Sequence, residues 1–283
     1  MIRIGIGKNL RIQGNGGSPW TPELDQYISG LVTPLSNAQL LLLDIFILAL
    51  KSGLSITSLA EAFDTFYILA GETEESSLRN IVQDLAHCTN DGTADFTQYE
   101  GLAGDAIGKY ANTNFIPSTQ AVTYQPGDLS YGAYTRQEKG APSTGNTLGN
   151  FDGADNDSYL SIQRRVTIGT DKLRCLGQGL TYDSRQNYVA SIGMICGCQD
   201  NLTLSEYRNK ILIDTDAGVV PLSLPATSPL LLASRTAFAV PSAFDDEDIS
   251  GAWFGKNFDI TEVGIITDAF EAYMDAHGKG VIP

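Results

Sequence analysis

Side chains that could bind a metal ion are concentrated in residues 152–157. Asp152, Asp155 and Asp157 supply carboxylates and Asn156 supplies an amide oxygen, all within six residues. Hard oxygen ligands of this kind are the ones that Ca²⁺ takes in proteins. The stretch lacks the closing glutamate of an EF-hand loop, and short runs rich in Asp, Asn and Gly also form plain turns. The sequence leaves both interpretations open, a calcium site at these four residues or a turn, and it indicates no other cofactor.

Three tyrosines are candidates for sugar binding. Lectin-type sites pack aromatic faces against pyranose rings and fix the hydroxyls with Asn and Asp. Tyr131, Tyr134 and Tyr182 lie in or near predicted loops and strand ends, and residues 135–150 predict a long exposed loop of the kind that carries function. Tyrosines on strands more often pack against neighbouring residues. We therefore hold these three as candidate glycan-binding residues, with core packing as the alternative.

Catalysis finds little support in the pattern of carboxylates and histidines. A glycoside hydrolase on a β-sandwich would carry paired carboxylates at alternate positions of one strand. The densest acidic run, residues 245–248, is four consecutive charges and predicts a solvated loop. The two histidines, His87 and His277, fall at predicted helix ends, where a cation suits the helix dipole. We expect a protein without enzymatic activity and keep a glycoside hydrolase as the weakest alternative.

The four cysteines are Cys88, Cys175, Cys196 and Cys198. They are too few for a disulfide-stapled secreted scaffold. Cys196 and Cys198 would share one face of a strand, but a metal site needs further ligands and the chain has only 2 histidines. The cysteines are expected to be reduced and buried as small apolar residues.

Charge and hydropathy exclude two classes of partner. The net charge of −15 repels a phosphate backbone, so we expect no nucleic acid. The most apolar run, residues 40–50, contains Asp44 and is too short to span a bilayer. Residues 1–17 lack the apolar core of a secretory signal. The expected chain is soluble, without a membrane partner.

The first two of three zones are an N-terminal peptide and a helical region. In residues 1–20, Ile2, Ile4 and Ile6 alternate before a glycine-rich stretch, which predicts either a flexible docking peptide or a frayed terminus. Residues 21–90 form the helical region. Its predicted helices run from Pro22 to Leu31, from the cap Ser36 to Lys51, from Ser55 or Thr57 to Gly71, and from Glu74 to Leu85.

The third zone, residues 91–283, predicts a two-sheet sandwich closed by a helix. Short runs rich in Thr, Tyr, Val and Ile alternate with turn residues, which is typical of antiparallel sheets. The closing helix is capped by Asp259, carries Glu262 three residues later and ends at Gly278. The predicted strands are 106–110, 129–136, 147–151, 158–164, 172–176, 189–195, 206–213, 229–236 and 251–257.

Several segments resemble one family, in order and spacing more than in identity. Taken together they span about Ser36 to Gly278, and they are residues 47–53, 63–71, 76–80, 95–105, 112–118 and 259–278. They are similar to tailed-bacteriophage structural proteins with a concanavalin A-like (laminin G-like) jelly-roll domain. The chain departs from the family at Gly71-Glu72, where a histidine is usual, and at Ile81-Val82, where a tryptophan is usual.

The resemblance implies a mainly β protein: a helical N-terminal region and a two-sheet antiparallel jelly roll closed by a C-terminal helix. It implies a non-enzymatic component of the virion, either a capsid decoration or a tail or fibre protein. The partners would be other virion proteins, contacted through the N-terminal region, and further copies of this chain within the particle. A host surface glycan is the second expected partner, and the alternative function is a lectin-like receptor-binding module.

Overall fold

The computed structural model describes residues 18–137, 145–152, 158–163, 172–176, 186–187, 192–218, 223–235 and 240–283. The helices are α1 (Pro22–Ser29), α2 (Asn37–Gly53), α3 (Glu74–Ser77), α4 (Pro117–Gln120) and α5 (Ile260–Ala276), with a 3₁₀ helix at Leu59–Glu61. The strands are β1 (Phe63–Tyr67), β2 (Asp95–Thr97), β3 (Gly101–Ala103), β4 (Ala111–Asn112), β5 (Asp128–Thr135), β6 (Leu148–Asp152), β7 (Ser158–Gln163), β8 (Lys172–Leu176), β9 (Gln186–Asn187), β10 (Gly193–Asp200), β11 (Thr203–Arg208), β12 (Ile211–Ala217), β13 (Leu230–Leu231), β14 (Ser234–Arg235), β15 (Pro241–Ser242) and β16 (Asp248–Gly255).

Two antiparallel sheets form the body of the protein. Among the described residues, the larger has eight strands in the order β12-β11-β10-β5-β16-β3-β2, with β1 also paired to β16. The smaller has six strands in those same ranges, in the order β4-β13-β6-β7-β8-β9, and β14 pairs with β15 separately. The predicted mainly β fold, a two-sheet antiparallel sandwich with a C-terminal helix, is confirmed.

The helices at the two ends of the chain begin where the sequence predicts. The Ser36 hydroxyl accepts the backbone N–H of Gln39 at 3.2 Å at the start of α2. Asp259 and Glu262 form a reciprocal capping box at the start of α5, with the Glu262 N–H 2.8 Å from Asp259 Oδ1. Within the residues described, every helix is too short or too polar to cross a membrane.

The predicted third helix is wrong, because this segment forms a strand. All five residues of β1 are buried, so the strand has no exposed face, and its apolar residues Phe63, Phe66 and Tyr67 also fit the spacing of a buried helix. The predicted fourth helix stops at Ser77. Beyond it, Asn80 Oδ1 accepts the N–H groups of Phe66 and Val82, each at 3.0 Å, and ties the chain to β1 instead.

Two predicted strands also differ from the structure. Residues 206–213 contain a hairpin turn, with Asn209 at φ 44° and Lys210 at φ 73°, so they belong to β11 and β12. Residues 106–110 form a loop, since Asp105 Oδ1 accepts the N–H groups of three residues that follow it, at 2.8–3.0 Å.

Two apolar cores lie on opposite faces of the larger sheet. The first lies between the sheets and includes Tyr131 of β5 and Leu160 of β7. The second lies between the larger sheet and the helices and includes Tyr134, Phe46 of α2 and Phe270 of α5. Successive residues of a strand point to opposite faces, so a central strand such as β5 serves both cores.

A close approach in the second core requires glycine at position 132. In the register of β5 and β16, Gly132 is the partner of Trp253. A Cβ atom at Gly132 would lie 2.1 Å from Cη2 of the indole, closer than any real contact. Trp253 also stacks on Phe66 of β1, with ring centroids 5.8 Å apart. The absence of a side chain at Gly132 thus allows the indole to lie flat on the sheet.

Candidate functional site

The tyrosines proposed for sugar binding are core residues where the structure describes them. Tyr131 and Tyr134 lie in β5 and are fully buried. The Tyr134 hydroxyl donates to Glu271 and accepts the Val281 N–H at 3.2 Å. The alternative of core packing describes these two side chains, because they lie on a central strand with a core on each face. Tyr182 lies outside the described residues.

The candidate calcium loop connects two strands of a hairpin. Asp152 ends β6 and pairs with Ser158, which begins β7. The candidate ligands Asp155, Asn156 and Asp157 lie outside the described residues, as does the side chain of Asp152. In the described part of the chain, no three His, Cys, Asp or Glu side chains are grouped to hold a metal ion. The calcium site stays a prediction.

The acidic run at residues 245–248 is not a solvated loop. Asp245 and Glu247 are 0% and 1% exposed, and Asp248 begins β16. Thr147 Oγ1 lies 3.0 Å from Asp245 Oδ2 and 2.9 Å from Glu247 Oε2. The prediction of a solvated loop is wrong, because the side chains of Asp245 and Glu247 point into the protein. They lie beside the hydroxyl of Thr147, which is 98 residues before Asp245 in the chain.

Backbone hydrogen bonds show what this acidic segment does. Asp245 donates its N–H to Leu232 O at 2.9 Å, and its carbonyl accepts from Ala106 at 3.0 Å. The Glu247 carbonyl accepts from Gly104, also at 3.0 Å. The segment therefore joins the end of β3, the start of β6 and the strands after residue 230. This geometry makes it a structural junction.

The two histidines are held by local contacts. His87 Nδ1 accepts the Asn80 N–H at 3.2 Å, and its Nε2 lies 3.0 Å from Asp84. It follows α3 by ten residues, so the predicted helix-end position is wrong for His87. His277 ends α5 as predicted and stacks on Tyr99, with ring centroids 4.0 Å apart. Burial lowers the pKa of His277, with a smaller opposing effect of Glu72.

The prediction that the cysteines are buried thiols is confirmed for Cys88, Cys196 and Cys198. Cys196 and Cys198 belong to the core beneath the helices. Burial raises the pKa of the Cys88 thiol well above its usual range, which makes it a poor nucleophile. The side chain of Cys175 lies outside the described residues.

One surface of the helical layer is apolar. Leu41, Ile45 and Leu48 are 41%, 44% and 49% exposed, and their spacing places them on one face of α2. We call these three residues the α2 stripe. The opposite face of the helix, with Phe46, Ile47 and Leu50, is buried. A large apolar side chain exposed singly needs no explanation, but three in a row mark a candidate interaction surface.

Carboxylates border the α2 stripe on the side of α1. Asp44 lies three residues after Leu41 and four before Leu48, and its Oδ1 accepts the Thr21 N–H at 2.8 Å. Asp25 of α1 accepts from Ser18. Lys51, near the end of α2, is paired with Glu23 at 3.0 Å. The first described residues therefore pass directly beside the stripe.

The helix α5 lies on the other side of α2. Phe46 packs edge-on against Phe270, and Gln39 Nε2 donates to the Tyr273 hydroxyl at 2.7 Å. On the exposed side of α5, Asp268 is paired with Lys210 of the turn between β11 and β12. The carboxylates next to the α2 stripe thus belong to α1 and α2.

No protein-family model matches the chain, and no curated protein matches it. Solved structures do resemble its fold. Trypanosoma rangeli sialidase with 2,3-difluorosialic acid is 12% identical over 86% of this chain and 40% of its own, with a TM-score of 0.52. Domain 4 of AbnA, a GH43 extracellular arabinanase from Geobacillus stearothermophilus in complex with arabinotriose, is 15% identical over 73% of this chain and 99% of its own, with a TM-score of 0.46. The CBM40 of Ruminococcus gnavus IT-sialidase is 14% identical over 58% of this chain and 96% of its own, with a TM-score of 0.40.

The likeness to the sialidase supports the β-sandwich fold of this chain. The chain spans well under half the length of the sialidase, 40%. At 12% identity the sialidase comparison shows the fold alone. Fold does not determine function, which depends on the residues of a site.

Proposed function

We propose that this chain is a non-enzymatic structural protein of a bacteriophage virion that displays a β-sandwich on the particle. One observation carries the proposal: the separate segments that resemble the phage family pack on each other as one unit. The proposal assigns attachment to the N-terminal region, residues 1–20, and places further copies of the chain in the same particle.

The packing of these segments is extensive. Phe66 of β1 lies 6.2 Å from Phe270 of α5, measured between ring centroids. The strand β1 is hydrogen-bonded to β16, which leads into α5. Phe66, Trp253 and Phe270 stack in the same core. A resemblance in order and spacing has more weight when the segments form one physical unit, since each then constrains the others.

The test is the copy number of this chain in purified particles, measured by quantitative mass spectrometry against a known major capsid protein. Hundreds of copies per particle would support a capsid decoration, and a few to a few dozen a tail or fibre component. Absence from particles would overturn the proposal. A chain without residues 1–17, with unchanged circular dichroism, should fail to enter particles when it is supplied beside the full-length chain.

A lectin-like module is the second candidate, because the sandwich resembles one from a sialidase that was solved with a sialic-acid derivative. This candidate predicts saturable binding of the full chain to surface glycans on an array. Binding that survives without release of sugar would favour the lectin over a hydrolase. Products detected by mass spectrometry from the same glycans would favour the hydrolase, and a chain that binds no glycan would exclude both.

A further inference from the structure

We infer that the α2 stripe is the docking face for residues 1–17 of the same chain, which cover it in the purified protein. The inference concerns the purified chain and does not depend on the virion proposal. It rests on where the described chain begins, on the composition of the preceding residues and on the charge around the stripe.

The N-terminal residues reach the stripe without difficulty. The Thr21 N–H is bonded to Asp44, which lies between Leu41 and Leu48 on α2. The stripe itself is about 10 Å long, from seven residues of helix at ~1.5 Å each. Extended chain covers ~3.3 Å per residue, so a few residues before Ser18 are enough to span it.

The composition of residues 1–17 matches this surface. The segment contains five large aliphatic residues after Met1, namely Ile2, Ile4, Ile6, Leu10 and Ile12. It also carries three cations, Arg3, Lys8 and Arg11, and no acidic residue, in a chain of net charge −15. Aliphatic side chains could cover the stripe while the cations meet Asp25 of α1 and Asp44 of α2.

A tethered segment suits the size of the surface better than a second copy does. Three half-exposed side chains offer far less than the ~800 Å² per partner that a stable interface between separate proteins buries. A segment of the same chain needs less area, because its effective concentration is on the order of millimolar.

The experiment uses the full-length chain and zero-length carbodiimide coupling, which joins an amine to a carboxylate in direct contact. Lys8 is the only lysine in the segment. We expect peptide mass spectrometry to find Lys8 joined to carboxylates that border the stripe, among them Asp25 and Asp44. Mixing ¹⁴N- and ¹⁵N-labelled protein distinguishes links within one chain from links between two chains, and the inference requires links within one chain.

Two variants and one control sharpen this test. The triple variant Leu41→Ser, Ile45→Ser, Leu48→Ser should lower the Lys8 links at least about tenfold, since it removes the apolar surface that holds the segment. The pair Arg3→Glu, Arg11→Glu should lower them too while leaving α2 intact, so a folding defect in the triple variant cannot mimic the result. The control Ile107→Ser, Val122→Ser, Leu202→Ser removes three exposed apolar side chains elsewhere and should leave the links unchanged.

Three outcomes overturn the inference. Lys8 links spread over distant carboxylates such as Asp95 and Asp200, unaffected by the triple variant, would mean that the segment does not use the stripe. Links found only between differently labelled copies would replace the tethered arrangement by exchange between chains. A dimer in light scattering that dissociates in the triple variant, with Lys8 links unchanged, would identify a second copy as the occupant.

Discussion

The carboxylate of Asp64 accepts the backbone N–H of Tyr124 at 2.7 Å, in a place where neither residue is exposed to more than 2%. The same carboxylate accepts the N–H groups of Val122, at 2.8 Å, and Thr123, at 3.1 Å. One side chain on β1 thus holds the loop that leads into β5. These hydrogen bonds fix the start of β5, which contributes side chains to both cores.

We expect Asp64→Asn to destabilise the protein by about 2–3 kcal/mol, because the amide cannot accept all of these hydrogen bonds and leaves buried donors unpaired. The midpoint of urea denaturation measures the loss. Asp200→Asn is the matched control, since Asp200 is exposed and its replacement should change stability by less than ~0.5 kcal/mol. Equal effects of the two substitutions would refute the role given to Asp64.

Gly132→Ala should cost about 2–3 kcal/mol, because the new Cβ forces the Trp253 indole out of its place. Thermal denaturation gives the loss. Gly108→Ala is the control, since a Cβ there meets nothing within 4 Å. In the double variant with Trp253→Phe, the cost should be smaller than the sum of the two single costs, and strict additivity would contradict the proposed clash.

Glu271 should make the protein more stable as the pH falls. Burial raises the pKa of its carboxyl above the ordinary value of 4.5 in the folded state, with the hydrogen bond from Tyr134 opposing this in part. The folded state then binds the proton more tightly than the unfolded state. The contribution of Glu271 to the free energy of unfolding therefore rises as the pH falls through the folded pKa and is complete below 4.5.

The measurement is the free energy of unfolding of the wild type minus that of Glu271→Gln, between pH 8 and pH 4. This difference should increase towards acid pH. Glu100→Gln provides the opposite control, because the hydrogen bond from Lys279 lowers the pKa of Glu100 below 4.5 and its contribution is lost on acidification. A flat or falling difference for Glu271→Gln would show that its pKa is not raised.

Tyr134→Phe should lower stability by about 1–2 kcal/mol and leave glycan binding, if any is found, unchanged. The substitution removes the hydroxyl that joins Glu271 to the Val281 N–H, and the ring stays buried. Chemical denaturation and a glycan array measure the two properties. Tyr110→Phe, at a half-buried tyrosine, serves as the control. Loss of glycan binding without loss of stability would restore Tyr134 as a ligand-binding residue.

The helices at the ends of the chain could be predicted because their signals are local. Ser36 and Asp259 cap helices through atoms only three residues away, and a pattern of that length is fully contained in the sequence. The strand β1 could not be predicted, because both its faces are covered by residues from remote segments. Its aromatic residues Phe63, Phe66 and Tyr67 fit the spacing of a helix equally well.

The candidate site was harder to predict for the same reason. Asp245 and Glu247 look like solvated charges, since the Thr147 hydroxyl that they meet is far away in the chain. The sequence predicts the strand that holds Tyr131 and Tyr134, but their burial depends on the pairing of β5 with both β10 and β16, which the sequence does not show. The exposed face of α2 could not be predicted, because the helix sequence is apolar on nearly every side. Only the packing of α1 and α5 shows which face stays exposed.

The contact between Gln39 and Tyr273 joins residues 234 positions apart, and it has a consequence for synthesis on the ribosome. The helix α2 leaves the exit tunnel long before α5, whose Phe270 and Tyr273 contact its buried face, has been made. Before α5 is made, the apolar face of α2 lacks the side chains that bury it. The larger sheet also lacks its central strand β16. This core cannot form before α5 is made, so the nascent chain is expected to depend on chaperones and to refold slowly in isolation.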